Sequence, residues 1–430
     1  MDFSRKASRL RSRPEYWAAL LLFALFWSFR SFTFRGDGDQ LARVIEARIW
    51  WLHSQMLTNA LFQVTYRLFS PWHWNGMMVL QLVSCVAGTL FFGLLTALAR
   101  RRWGDWRPAA LVFLASGFAI LAAGHTEFYA VVAAAAMGYM LAAERYLAGR
   151  GSLLSPALCF SLLVWTHLLG AFVAPSLLWL AWRGRRTRRD LELGLLGLLP
   201  AVVLFVILRF DPLNLPIVGM NQPDRFVPLL EVRPGKFYTL FSLGHLHDWL
   251  YWQVKTSPLL LPALAVGLLG SWRGLFARDG WVAFLWIATA CWYLWTFVWH
   301  PDLGIETDWD LFSVAALPPT LALLDHAEAR GWMRRKVLVA ALLIVALIPT
   351  WLDIVHAARF GQRGRGHLAI VYQQDPGPVR VFVDGHQKAL KVHHLPTGRH
   401  RVEVHELATG RLHRQEVEIR AGEWTELRLE

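Results

Sequence analysis

Residues 76–99 read Gly-Met-Met-Val-Leu-Gln-Leu-Val-Ser-Cys-Val-Ala-Gly-Thr-Leu-Phe-Phe-Gly-Leu-Leu-Thr-Ala-Leu-Ala, and Arg100-Arg101-Arg102 follow at once. A run of this length without a charge, wound as a helix, is long enough to cross roughly 30 Å of hydrocarbon. The arginines that stop it mark a cytoplasmic end, because short basic loops stay on that side of a membrane.

The same pattern recurs in both directions from this stretch. Apolar runs fall at roughly 16–33, 76–99, 108–124, 128–147, 152–166, 168–182, 191–209, 257–271, 281–299, 311–325 and 337–354, which gives about 11 expected spans. The chain has 430 residues, is 55% hydrophobic and carries 23 Trp and 26 Phe, more apolar surface than a water-soluble domain needs. The expected fold class is therefore an α-helical polytopic membrane protein. The net charge of +13 sits in short loops between apolar runs, which argues for membrane anchoring and against a nucleic-acid partner. Cys85, Cys159 and Cys291 lie inside apolar runs and read as small buried hydrophobes. The basic N-terminus (Arg5, Lys6, Arg9, Arg11, Arg13) precedes a long apolar run with no small-residue cleavage site, so it reads as a retained first helix.

The expected loops alternate in charge. One set holds Arg100–Arg102 and Arg107, Arg145 and Arg150, Arg183–Arg189, Arg273 and Arg278, and Arg330–Lys336. The other set includes His125-Thr126 and residues 300–310, which contain no Lys or Arg. This asymmetry places the N-terminus in the cytoplasm and, with an odd number of spans, the C-terminus outside the inner membrane. Residues 152–182 read either as one helix broken at Pro156 or as a hairpin turning at Thr166-His167-Leu168. The hairpin keeps Arg145/Arg150 and Arg183–Arg189 on one side and is preferred.

Two long external stretches stand out. Residues 35–75 carry Leu41, Val44, Ile45, Ile49, Leu52 and Met56 at helical spacing, with Trp50, Trp51, Trp72 and Trp74 nearby, and read as helices in the membrane interface. Residues 210–256 begin irregularly and end in Gly244-His245-Leu246-His247-Asp248-Trp249, which opens another interfacial helix.

Sorted by face, the carboxylates and histidines that lack arginine neighbours collect outside. In Arg35-Gly36-Asp37-Gly38-Asp39-Gln40, Asp37 and Asp39 are candidates for a general base that takes a proton from an acceptor hydroxyl. Asp39 is the favoured one, since it begins the amphipathic helix; the competing reading is that it caps that helix. His125 and Glu127, in Gly124-His125-Thr126-Glu127, sit in a very short turn and read as acceptor contacts or support for the base. His167, His245, His247 and His300 are candidate substrate contacts, and Arg225, Arg233, Lys236 and Lys255 are external cations suited to a lipid phosphate. Residues 300–313 hold His300, Asp302, Glu306, Asp308 and Asp310 with no basic partner in sequence. Asp308 and Asp310 are the candidate ligands for Mg²⁺ or Mn²⁺ there.

Residues 361–366, Gly-Gln-Arg-Gly-Arg-Gly, read as a linker between a membrane domain at 1–360 and a second unit at 367–430. In that unit Val379, Val381 and Val383 alternate with Arg380 and Phe382. Val402/Val404 and Val417/Ile419 alternate likewise, with turns at Asp384-Gly385 and Thr409-Gly410. Four or five short antiparallel strands in a small all-β sandwich are expected. The run Asp375–Gly385, continued by Leu395-Pro396-Thr397-Gly398-Arg399-His400-Arg401-Val402, resembles a PEGA domain, a small extracytoplasmic β module of bacterial proteins.

The membrane part resembles the GT-C superfamily of glycosyltransferases. The resemblance covers residues 1 to about 355 and is carried by Gly36-Asp37-Gly38-Asp39 after the first span, Gly124-His125-Thr126-Glu127 in the second external turn, and the architecture. It implies transfer of one sugar from a polyprenyl-phosphate donor to an acceptor hydroxyl on a protein or glycan, with inversion and a carboxylate base. A Gly separates the two acids here, where the family often has them adjacent, so the resemblance does not choose between Asp37 and Asp39. Other readings are a polymerase or ligase of lipid-linked glycans, and a transporter or flippase, which calls for ionisable groups at mid-membrane.

Overall fold

The computed structural model describes residues 14–32, 36–52, 54–184, 187–208, 226–231, 238–258, 260–261, 280–301, 304–331, 336–360, 365–372, 379–388, 391–406, 409–420 and 424–429. Its longest helix is the stretch quoted above, α4 in a series that runs α1 (Pro14–Ser28), α2 (Gly38–Glu46), α3 (Met56–Phe69) and α4 (Gly76–Trp103). Asn75 starts α4, its side chain accepting from the Met78 N–H at 3.0 Å, and Gly104 stops it in a left-handed conformation. Then come α5 (Arg107–Leu114), α6 (Gly117–Ala122), α7 (Tyr129–Leu147), α8 (Leu154–Thr166), α9 (Ala174–Arg183) and α10 (Arg188–Ile207). The described helices end with α11 (Leu243–Thr256), α12 (Gly280–Val298), α13 (Ile305–Ser313), α14 (Leu317–Ala329) and α15 (Lys336–Phe360).

Among the described residues three helices, α4, α10 and α12, are long and apolar enough to cross a membrane by length and composition. Shorter apolar helices cover Trp17–Ser28, Leu154–Thr166, Leu168–Arg183 and Ala346–Ala358. The described residues thus do not confirm the expected count of about 11 full spans. The expected span 257–271 lies almost wholly outside the described residues.

The differences have local causes. The run 108–124 is two helices, broken where Ser116 is extended. The break lets Gly117 approach α11 and α13: a Cβ there would lie 2.8 Å from Trp309 and 2.9 Å from the Thr256 backbone. It also leaves the Leu114 carbonyl without a helical partner, and the Trp351 indole N–H of α15 donates to it at 3.2 Å. Irregular backbone among apolar helices needs such a protein partner. Residues 152–182 break at His167, which is extended, and continue as a 3₁₀ turn, Leu168–Val173, before α9. The expected interfacial helix over 41–56 stops at Glu46, beyond which Arg48 has φ +55°. The loop expected at 300–310 is helical from Ile305, where α13 begins.

Polar groups divide by end of the bundle. At the C-terminal end of α4, Arg101 pairs with Glu144 at 3.1 Å and Arg102 with Asp325 at 2.9 Å. At its N-terminal end Glu46 accepts the Gly76 N–H at 2.7 Å, and His125 and Glu127 lie just before α7. The core between them is apolar, with Trp252, Trp281, Trp292 and Trp309 among its fully buried side chains.

Among its described residues the C-terminal unit has seven strands, β1 (Arg365–Tyr372), β2 (Val379–Val383), β3 (His386–Lys388), β4 (Lys391–Pro396), β5 (Gly398–Glu406), β6 (Leu412–Ile419) and β7 (Trp424–Leu429). They form one sheet of order β4-β1-β7 and another of order β3-β2-β5-β6. Both sheets feed one apolar core: Leu368 and Ile370 of the first meet Val381, Val383, Val402, Val404, Val417 and Ile419 of the second. The sandwich is as expected, but it has more strands, and β1 pairs with β7 in parallel rather than antiparallel fashion. β1 starts at Arg365, inside the stretch read as linker, whose first residues, 361–364, lie outside the described set.

Candidate active site

The centre of the site is the turn between α6 and α7. Ser84, one face of α4, holds the turn from below: its hydroxyl donates to the His125 carbonyl at 2.6 Å and approaches the Glu127 carbonyl at 3.3 Å. Gly124, at φ +65°, lies against the Arg30 backbone at the end of α1, and the Ser31 N–H donates to the Ala123 carbonyl at 3.0 Å. From this anchored turn His125 reaches α13, its Nε2 lying 2.5 Å from Asp310 Oδ2; both side chains are 1% exposed. The second Asp310 oxygen accepts from the Leu311 N–H. Trp309 packs beside the His125 ring, with Lys255 of α11 near its indole face.

Glu127 points the other way, to the loop after α1. Its Oε1 accepts the backbone N–H of Asp37 at 2.8 Å. The glycines on either side of Asp37 make this possible. A Cβ on Gly36, whose φ is +51°, would fall on Glu127 Oε1, and one on Gly38 would lie 2.4 Å from the Thr126 carbonyl. Glu127 is buried, and burial pushes its carboxyl well above the usual carboxylate range. The charges of Asp310, Asp37 and Asp308 push it the same way, while the hydrogen bond from Asp37 opposes them. Three separated parts of the chain thus bring four carboxylates together.

Asp37 and Asp39 differ sharply. Asp37 is exposed at the N-cap position of α2 and its side chain makes no cap hydrogen bond. Asp39 is buried and paired with Arg43, one turn on, at 2.9 Å. Asp308 is half-buried on α13. The remaining sequence candidates do not gather here as a group. His167 stacks on Phe128, and its Nδ1 accepts from the Leu169 N–H at 3.1 Å. Burial pushes its pKa down to about 3, so it is a neutral ring that shapes the chain between α8 and the 3₁₀ turn. His245 is buried at the start of α11 with Nδ1 2.7 Å from the Leu240 carbonyl. His300 is buried against Tyr238, and His247 is exposed beside Asp248. Arg225 and Lys236 lie outside the described residues. Lys255 is bound to Asp353 of α15 at 2.8 Å.

Among the described residues no three His, Cys, Asp or Glu side chains form a metal-binding group. Asp310, with both oxygens taken, is a poor ligand for a cation that favours about six oxygens. The donor set around Asp308 and Asp310 therefore does not fit the Mg²⁺ or Mn²⁺ expected there. Ser84 was missed from sequence because a lone Ser in an apolar run carries no signal.

No protein-family model and no curated protein matches the sequence. Solved structures do. ArnT from Cupriavidus metallidurans bound to undecaprenyl phosphate aligns with TM-score 0.50 and 16% identity, over 76% of this chain and 62% of that one. The apo state of the same protein gives TM-score 0.51 and 17% identity over 77% and 62%. Over the aligned part the chain shares the overall fold of ArnT. The chain spans a little under two thirds of the length of ArnT. A fainter likeness, TM-score 0.46 at 15% identity, is to an oligosaccharyltransferase from Archaeoglobus fulgidus.

Proposed function

We propose that the chain is an integral membrane glycosyltransferase that moves a sugar from a polyprenyl-phosphate donor to an acceptor hydroxyl with inversion. The observation that carries this reading is the exposed Asp37 held by the buried Glu127, beside the half-buried Asp308 and the buried His125–Asp310 pair. A fold shared with a protein solved with undecaprenyl phosphate supports the donor class. The loops rich in arginine support an active site on the extracytoplasmic side of the inner membrane.

In this reading Asp37 takes the proton of the acceptor hydroxyl as that oxygen attacks the anomeric carbon from the face opposite the phosphate. The bond from that carbon to the phosphate oxygen breaks, and the lipid phosphate leaves as an anion that needs no proton. Asp37 ends the step protonated. Asp39, bound to Arg43, is less able to take that role. The His125–Asp310 pair and Glu127 hold the loop that carries Asp37 from beneath. The β unit, PEGA-like in sequence, contacts the acceptor or the cell envelope.

The test is reconstitution of the purified chain in liposomes with lipid-linked sugars extracted from native membranes. Transfer releases free polyprenyl phosphate and a new glycoside, and Asp37→Asn lowers both. Movement of intact lipid-linked sugar across the bilayer, with no release of polyprenyl phosphate, would instead identify a flippase.

A further inference from the structure

We propose that Glu127 is a positioning residue that holds Asp37 in place by accepting its backbone N–H. The inference rests on the reading of Asp37 as the base and assigns the other conspicuous acid of the site a different task. Three observations carry it. The hydrogen bond from Asp37 N–H to Glu127 Oε1 is 2.8 Å long and joins residues 90 apart in sequence. The backbone on both sides of Asp37 is pressed onto the Glu127 turn so closely that only glycine fits: a Cβ at 36 would meet the Glu127 carboxyl, and one at 38 the Thr126 carbonyl at 2.4 Å. The turn itself is fixed from two further elements, by Ser84 of α4 and by the His125–Asp310 contact to α13. Asp37 is thereby referenced to two helices of the bundle, although it stands in a loop.

Glu127 is only 4% exposed, so an acceptor hydroxyl does not reach it. The groups around it are the carboxylates of Asp37, Asp308 and Asp310, with His125 and Tyr129 flanking it in sequence. Burial and the neighbouring acids push Glu127 toward the protonated carboxyl, whose carbonyl oxygen still accepts the Asp37 N–H. A base of this kind in a closed pocket has no work to do; a spacer that sets the height of Asp37 does. Misplacing a catalytic group by about 1 Å costs on the order of 10²-fold.

The experiment compares Glu127→Gln with Glu127→Ala in the full-length, reconstituted chain. Gln keeps the acceptor oxygen and the neutral charge; Ala removes both. Two readings are taken: transfer kinetics, and amide hydrogen exchange of the peptide that contains residues 36–40. Glu127→Ala is expected to lower kcat by about 10²-fold with the donor KM little changed, and to speed exchange at Asp37. Glu127→Gln is expected to recover at least about tenfold of that kcat and to restore slow exchange. A Gln variant as inactive as Ala, with exchange still slow, overturns the proposal and makes Glu127 a proton-transfer group. Equal exchange in wild type and Ala overturns it also. Should Glu127→Ala fail to fold, the Gln variant alone decides, since a proton-transfer role predicts a loss of about 10²-fold or more and positioning does not. If the wild type transfers no sugar, the reading of Asp37 fails while the exchange data still report whether Glu127 holds its loop.

Discussion

Asp37 and Asp39 are two residues apart and meet opposite surroundings. A base must be reached by the hydroxyl it deprotonates, and Asp37 is exposed while Asp39 is buried on Arg43. Asp37→Asn is therefore expected to lower turnover by about 10²–10⁴-fold with little change in donor affinity. Asp39→Asn removes a helical ion pair of about 0.3–0.5 kcal/mol and should cost far less. Initial rates at saturating donor check both, and a larger loss at Asp39 reverses the assignment. Glu127 gives a prediction of definite sign. Its folded-state pKa is raised by burial first and then by neighbouring acids, so the folded chain keeps a proton that the unfolded chain releases near the ordinary value. The contribution to stability is whole below that ordinary value and is lost as pH rises toward the folded one. Glu127→Gln removes this loss. Thermal midpoints in detergent between about pH 5 and 8 should fall more steeply with pH in the wild type than in the Gln variant. Parallel curves would mean that Glu127 ionises normally. The sequence put these acids at one end of the bundle because charge alternates between loops. It could not rank them, since Gly-Asp-Gly-Asp is nearly symmetric, and the ranking comes from a salt bridge within α2 and a contact from residue 127.

At the scale of elements, the α6–α7 turn works as a joint between α1, α4 and α13, and its geometry depends on small residues. Gly38→Ala would place a methyl 2.4 Å from the Thr126 carbonyl, which is backbone and cannot swing aside. The expected cost is about 1–3 kcal/mol of stability from overpacking, with a loss of turnover as the loop carrying Asp37 lifts. Thermal midpoint and kcat of this variant, compared with Gly93→Ala in open surroundings on α4, check it. An unchanged kcat in Gly38→Ala would show that the loop and turn are not tightly fitted in solution. Some elements left a signal that the charge pattern obscured. Ile305, Trp309 and Phe312 recur at helical spacing and are all buried, so α13 was readable as a helix beneath its acids. The break at Ser116 was not readable. It is stabilised by Trp351, over two hundred residues away in sequence, and local propensity carries no trace of such a partner.

Across the whole molecule, the separation of polar groups by end was legible from loop charges alone, and so was the change from helical to two-residue periodicity near 360. The number of full spans was not, because helices such as Leu154–Thr166 are too short to cross hydrocarbon alone at about 1.5 Å per residue. Side of the membrane is therefore best measured directly. A C-terminal alkaline phosphatase fusion is expected to be active and a green fluorescent protein fusion dark; the reverse would put the C-terminus in the cytoplasm. The β unit carries the last prediction. It has its own apolar core, drawn from both sheets and distinct from that of the helices. Every residue of the proposed site lies before Phe360, and the hydrogen bond at Glu127 and the His125–Asp310 contact both join helical parts of the chain. The cut must also remove β1, which begins at Arg365 and pairs with both β4 and β7; leaving it behind would expose an unpaired edge. Truncation after Phe360 should thus give a well-expressed helical core that still transfers sugar to a small soluble acceptor. Its rate on the native acceptor should fall, because the contact proposed for the β unit is gone. A folded truncation with no turnover on any acceptor would show instead that the β unit completes the active site.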